Sequence, residues 1–132
     1  MELQLNQEFT FEFKVDDVVY NGFINTFKDK NPLHVNEEFA QDKGFKARVM
    51  HGNILNGFLS YFIGELLPTK DVMILSQNIN FKNPVYLDDI LNFEAIVEEQ
   101  SEAVMVNTFK FKFINKDLKT VAAGRIQIKE LT

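Results

Sequence analysis

The chain has no cysteine, no tryptophan, and only three prolines and six glycines among its 132 residues. With no thiol it makes no disulfide, no thiolate metal site and no cysteine nucleophile, which argues against a stapled secreted scaffold. Long apolar runs are missing too. The most hydrophobic segment, residues 52–67, is interrupted by Asn53, Asn56, Ser60 and Glu65, whereas a membrane span needs roughly 18 apolar residues in a row. Residues 1–8 carry neither the basic flank nor the apolar stretch of an export signal. A soluble protein is therefore expected, in the cytoplasm and with no membrane partner. Positive charge is also in deficit, the net charge being -5. No nucleic acid is expected as partner, because Lys and Arg neutralising phosphates supply most non-specific affinity. The deficit is uneven: residues 28–48 carry five basic against four acidic side chains, leaving one stretch suited to a small anion.

Apolar material is ample. Hydrophobic residues make up 45% of the chain and fourteen residues are Phe, which brings bulk without a polar atom to satisfy. One domain spanning residues 1–132 is expected. Phe9, Phe11, Phe13 and Val15 alternate with polar residues from Glu8 onward, the period of a half-buried strand. Asp16 and Asp17 suit a helix start, and Val18, Val19, Phe23, Ile24 and Phe27 recur at helical spacing, predicting a helix that ends near Lys28. Pro32 disfavours helical geometry at Asn31, so residues 29–34 are predicted to be an irregular loop. Asn36 suits the cap of a short helix to about Lys43, with Gly44 as its left-handed end.

Residues 52–67 form the longest helical candidate, with Ile54, Leu55, Phe58, Leu59, Phe62 and Leu66 on one side. The other side, with Asn53, Asn56, Gly57, Ser60 and Gly64, is small or amide-bearing, and packs tightly on a sheet, lines a ligand channel, or does both. Beyond Pro68 the pattern turns to strands: Met73, Leu75, Ile79 and Phe81 on one face, then Leu91 to Val97. Phe109, Phe111 and Phe113 follow opposite Thr108, Lys110 and Lys112, and a last strand covers 120–130. The order implies an α+β domain with an antiparallel sheet wrapped around the long helix.

Chemistry-bearing residues are few. The two histidines, His34 and His51, each sit in or beside a predicted loop. Asp29 stands five residues before His34 with Pro32 stiffening the span, so carboxylate and imidazole can face a common point, bind one water and take its proton. Asn31 adds an amide that either orients that water or simply forms the turn before Pro32. Two histidines without cysteine fall short of a usual zinc ligand set, and no metal is expected.

The hexapeptide Asp29-Lys30-Asn31-Pro32-Leu33-His34 resembles the D-x-N-P-x-H signature of the MaoC-like (R)-specific enoyl-CoA hydratases. Arg48-Val49-Met50-His51-Gly52 resembles that family's approach to its central helix. Asn83-Pro84-Val85-Tyr86-Leu87-Asp88-Asp89 resembles its turn between sheet strands, so the likeness runs from about Asp16 to the C-terminus. The resemblance implies a single hot-dog domain, a homodimer, acyl-CoA or acyl-carrier-protein thioesters as substrate, and no metal or redox cofactor. It implies Asp29 and His34 as the catalytic pair, hydrating trans-2-enoyl thioesters to (R)-3-hydroxyacyl thioesters or running the reverse dehydration. Asn31 would hold the water, Gly52 would offer its N–H to the thioester carbonyl at a helix N-terminus, and Ser60 would lie near the acyl pocket. Lys28 departs from the pattern, which usually has Gly there, and a left-handed turn costs Lys more than Gly. Two other functions suit such a domain. One is a non-catalytic acyl-thioester-binding protein, against which an intact Asp29, Asn31 and His34 argue; the other is an acyl-CoA thioesterase, which would release free thiol.

Overall fold

Alternation along the strands produces a sheet with one greasy face. In β4, Val106–Ile114, the rings of Phe109, Phe111 and Phe113 are buried while Lys110 and Lys112 are exposed. A computed structural model describes residues 1–131 and pairs β4 with β3, Ile90–Ser101, and β5, Thr120–Glu130. Strands β1, Glu8–Lys14, and β2, Val72–Phe81, complete an antiparallel sheet in the order β1-β3-β4-β5-β2. Between β1 and β2 lie α1 (Asp17–Phe27), α2 (Pro32–Val35), α3 (Glu37–Asp42) and α4 (Asn53–Tyr61), the last continued by a π-helical turn, Phe62–Leu66. Phe62 joins this helix to the sheet, its ring centroid 4.8 Å from Phe93, 5.4 Å from Phe9 and 5.5 Å from Phe109. Phe58 stacks on Phe13 at 4.7 Å. The buried side of α4 thus lies on the inner face of the sheet, and its N-terminus is fixed relative to the strands.

Four local features differ from the sequence pattern, each for a physical reason. Residues 32–35 are a one-turn helix, not an irregular loop. Asn31 is indeed extended (ψ 137°), and its side chain caps a helix whose first residue is Pro32, where a missing N–H costs nothing. The long helix does not stay α-helical to residue 67. The π-helical turn inserts an extra residue into the spacing, so Phe62 and Ile63 are both buried and Leu66 only partly. In β2 a bulge between Ile74 and Ser76 reverses the alternation, so Met73 pairs with Lys129 on the outer face while Phe81 pairs with Ala122 on the inner one. The small-residue side of α4 does not pack tightly on the sheet: Asn56 Oδ1 accepts the Gln77 Nε2–H of β2 at 2.6 Å, but Asn53, Gly57, Ser60 and Gly64 are exposed, and a Cβ added at Gly57 or Gly64 would meet nothing within 4 Å.

Helix α1 ends as expected at Lys28, which takes the left-handed conformation (φ 65°) and returns its N–H to the Ile24 carbonyl at 2.9 Å. Lys28→Gly is expected to raise unfolding stability by roughly 0.5–1 kcal/mol, the left-handed penalty less the extra freedom of Gly in the unfolded chain. A urea titration comparing midpoints at equal slope measures it.

Candidate active site

The site is built where α1, α2 and the N-terminus of α4 meet. Two backbone bonds strap residues 49–50 between α2 and the chain beyond β2: Val49 N–H donates to the Leu33 carbonyl at 3.0 Å and Met50 N–H to the Val85 carbonyl at 2.8 Å. A bridge between Val49 and Tyr86 adds to them. The Tyr20 hydroxyl of α1 donates to the His34 carbonyl. These ties fix the main chain of His34 from both sides. Its ring is fixed as well, because Nδ1 lies 2.7 Å from the Val49 carbonyl. A carbonyl only accepts, so Nδ1 carries the proton and Nε2 presents a bare lone pair in the neutral ring.

That lone pair faces Asp29. His34 Nε2 is 3.8 Å from Asp29 Oδ2, with the imidazole 17% and the carboxylate 50% exposed. The other carboxylate oxygen, Oδ1, accepts the Asn31 N–H at 3.1 Å, which orients the group toward the histidine. Two acceptors at this separation do not bond one another, and the gap is one that a single water donating one O–H to each would span. The local sequence thus brings Asp29 and His34 together as the spacing implied.

The remaining expected residues are placed unequally. Asn31 Oδ1 accepts the Leu33 N–H at 3.0 Å as the α2 cap, which leaves the amide nitrogen as its free donor. Gly52 caps α4 with helical backbone angles, and its N–H makes no backbone hydrogen bond among the described residues. A Cβ there would lie 2.9 Å from the Phe81 ring, so Gly is what lets that ring come this close. Ser60 is exposed farther along α4 and lines neither of the two cavities that meet at the dyad.

Those cavities adjoin at Phe23, Asp29 and Asn53. The larger, about 900 Å³, lies between α1 and α4 and is walled by Phe13, Val19, Phe27, Phe58 and Tyr61, with Asn56 and Gly57 along the small-residue side of the helix. The smaller, about 450 Å³, holds His34, His51 and Gly52 on one wall and Phe81, Lys82 and Asn83 on another. Of the two readings of the small side of α4, the geometry therefore favours the ligand channel.

His51 is the residue that the motif left without a role. It is buried and sits immediately before Gly52; its Nε2 lies 2.8 Å from the Asp29 carbonyl and its ring stacks on His34 with centroids 4.0 Å apart. The signal available in the sequence was its position as the only other histidine, at the start of the central helix. Ligand atoms of Asp29, His34 and His51 lie within 4.8 Å of one another. However, His34 Nδ1 and His51 Nε2 are each engaged with a carbonyl, and near-parallel rings do not aim two lone pairs at one ion, so the geometry suits proton transfer better than metal binding. Burial lowers the pKa of His51 from 6.5, opposed in part by its bond to the Asp29 backbone. Because the unfolded chain then takes up this proton first, the contribution of neutral His51 is intact above the unfolded value and is lost as pH falls below it. Denaturant midpoints should drop from pH 7.5 to pH 5, and His51→Phe should flatten that slope.

A single antiparallel sheet curled around one helix is the hot-dog fold. The (R)-hydratase of Aeromonas caviae shares it with a TM-score of 0.89 over 98% of both chains at 25% identity. The chain belongs to the MaoC like domain family, which it matches over residues 6–117. It is 34% identical over 99 residues to the 3-hydroxybutyryl-CoA dehydratase of Methylorubrum extorquens, covering 75% of this chain and 62% of that protein. It is also 40% identical over 67 residues to the (R)-specific enoyl-CoA hydratase of Rhodospirillum rubrum, covering 51% of this chain and 46% of that protein. In both comparisons the match spans less than two thirds of the relative's length.

Proposed function

We propose that residues 1–132 form one domain that adds water to trans-2-enoyl thioesters to give (R)-3-hydroxyacyl thioesters, or catalyses the reverse dehydration, with Asp29 and His34 as its acid/base pair. The observation that carries this reading is the 3.8 Å gap between a bare imidazole nitrogen and a carboxylate oxygen. The names of the two curated relatives, a dehydratase and a hydratase of CoA thioesters, support it.

A thioester-conjugated alkene is electrophilic at C3. Water held between Asp29 and His34 loses a proton to the pair as its oxygen bonds C3, and the C=C electrons move into the thioester carbonyl. The enolate oxygen accepts the Gly52 N–H, where the α4 dipole favours negative charge. The pair then returns one proton to C2, so a hydroxyl and a hydrogen have been added and the enzyme is unchanged. Asn31 turns its amide nitrogen toward the water, and the apolar cavity between α1 and α4 takes the acyl chain.

The substrate is an acyl-CoA or an acyl-carrier-protein thioester. A homodimer in the cytoplasm completes the reading: Met73, Ile74, Leu75 and Phe81 are exposed on edge strand β2, and a second copy laid there would cover them along with the open side of α4 that carries Ser60.

The test is loss of enoyl absorbance when the protein meets crotonyl-CoA and a longer enoyl-CoA, with a free-thiol reagent in parallel. Absorbance loss without thiol release is expected. Thiol release would make the domain a thioesterase, and intact but bound substrate would leave a binding role.

A further inference from the structure

The proposed mechanism gives no role to the buried His51 beside the pair. His51 is 3% exposed, and its Nδ1 is the only buried side-chain polar atom without a partner among the described residues. The contact with the Asp29 carbonyl fixes the proton on Nε2, so Nδ1 is a bare acceptor in an apolar setting. An orphan acceptor of this kind lowers stability, and an apolar ring of similar shape would not carry that cost. What the imidazole gains in return is contact with every part of the site. Its N–H holds the main chain of Asp29, its ring lies against His34 at 30° and against Phe23 at 4.6 Å, and the next residue in the chain is Gly52.

Resting on the hydratase reading, we infer that His51 is the positioning residue of this site: its Nε2–H anchors the Asp29 carbonyl and its ring face anchors the His34 imidazole, holding carboxylate and imidazole at water-bridging distance. The anchor is needed because Asp29 follows the left-handed Lys28 at the exposed end of α1, where little else restrains it. Asp29 makes one further tie, to the Asn31 N–H, and that tie lies within its own loop. The titratable groups that face the His51 ring are Asp29 and His34, with Tyr20 on the α1 side and Arg48 stacked beyond Tyr20. A neutral ring in this position does not oppose a proton on His34, and burial keeps it neutral.

Two variants separate positioning from packing. His51→Phe keeps a ring against His34 but has no donor for Asp29; His51→Gln has a side-chain amide that reaches about as far as Nε2. His51→Phe is expected to melt no lower than the parent near pH 7.5, yet to lose about 10–100-fold in kcat with KM within about threefold, the loss typical of small misplacements of reacting groups. His51→Gln should recover most of that loss. In the free protein, ¹⁵N imidazole spectra should show His51 leaving the neutral Nε2–H form only below the ordinary imidazole range, and the Asp29 carbonyl ¹³C resonance should move upfield in His51→Phe as its hydrogen bond is lost. A His51→Phe protein with kcat within about threefold of the parent and an unmoved Asp29 carbonyl resonance overturns the inference. So do Phe and Gln variants that lose activity and melting temperature together. If the Phe variant does not fold, His51→Met makes the same comparison with Gln. If the parent turns over no enoyl thioester, the hydratase reading fails, and the His51 tautomer and the Asp29 carbonyl resonance still decide whether His51 holds the pair.

Discussion

Asp29→Asn is expected to reduce kcat for enoyl-thioester hydration by about 10²–10⁴-fold while leaving the fold intact, the range typical of a lost general acid or base. Asn is close to isosteric with Asp, and its amide oxygen can still accept the Asn31 N–H that closes the local turn. What it loses is the carboxylate that, in the proposed reaction, takes a proton from water. His34→Ala should have an effect of the same order, though it also removes the Nδ1–H bond to the Val49 carbonyl and so costs some stability. The double variant is the stronger measurement. If the two groups act as one proton-handling unit, removing both costs little more than removing one. Multiplying effects would instead show that they act separately, for example with one binding the thioester and the other handling the proton. Substrate disappearance followed at saturating enoyl-CoA, with a thermal melt on each variant, distinguishes these cases.

The dyad was legible in the sequence because both members lie on one six-residue segment. Local rules set its shape: Pro32 favours the first turn of α2, Asn31 caps it, and Asp16 begins the helix that delivers Asp29. His51 was not legible in the same way. It lies 22 residues from Asp29, and what makes it matter is a long-range bond to a main-chain carbonyl and a stacked ring, neither of which leaves a periodicity or spacing to read. The fold shows the same division. Alternation survives in β1 and from Phe109 to Phe113 of β4 because those stretches themselves carry no bulge, whereas the bulge in β2 and the π-helical turn after α4 each shift the count by one residue and displace every side chain beyond them. The small side of α4 was legible as small but not as open, since glycines suit a close approach and a vacant channel equally well. The cavity against Asn53, Asn56 and Gly57 is what shows that side to be open.

Phe62→Ala is expected to lower unfolding stability by about 3–5 kcal/mol, a large share of the roughly 5–15 kcal/mol typical of a domain. Phe62 is fully buried, and its ring meets Phe9 and Phe11 of β1, Phe93 of β3 and Phe109 of β4. The space it would vacate cannot readily close, because those four rings are held by strand register: Phe9 opposite Ala95, Phe11 opposite Phe93, Phe109 opposite Val97 and Ile126. A chain of this length should show a fall in melting temperature of about 10–20 °C. Phe62→Leu, which fills most of the volume, should lose well under half as much. Because Phe62 lies in the π-helical turn at the far end of α4 from Gly52, Phe62→Ala assayed well below its melting temperature should retain kcat close to that of the parent. A variant that keeps its melting temperature would mean the core relaxes around the gap. One that stays folded but loses kcat would mean that the register of α4 on the sheet, set at Phe62, also sets where Gly52 meets the dyad.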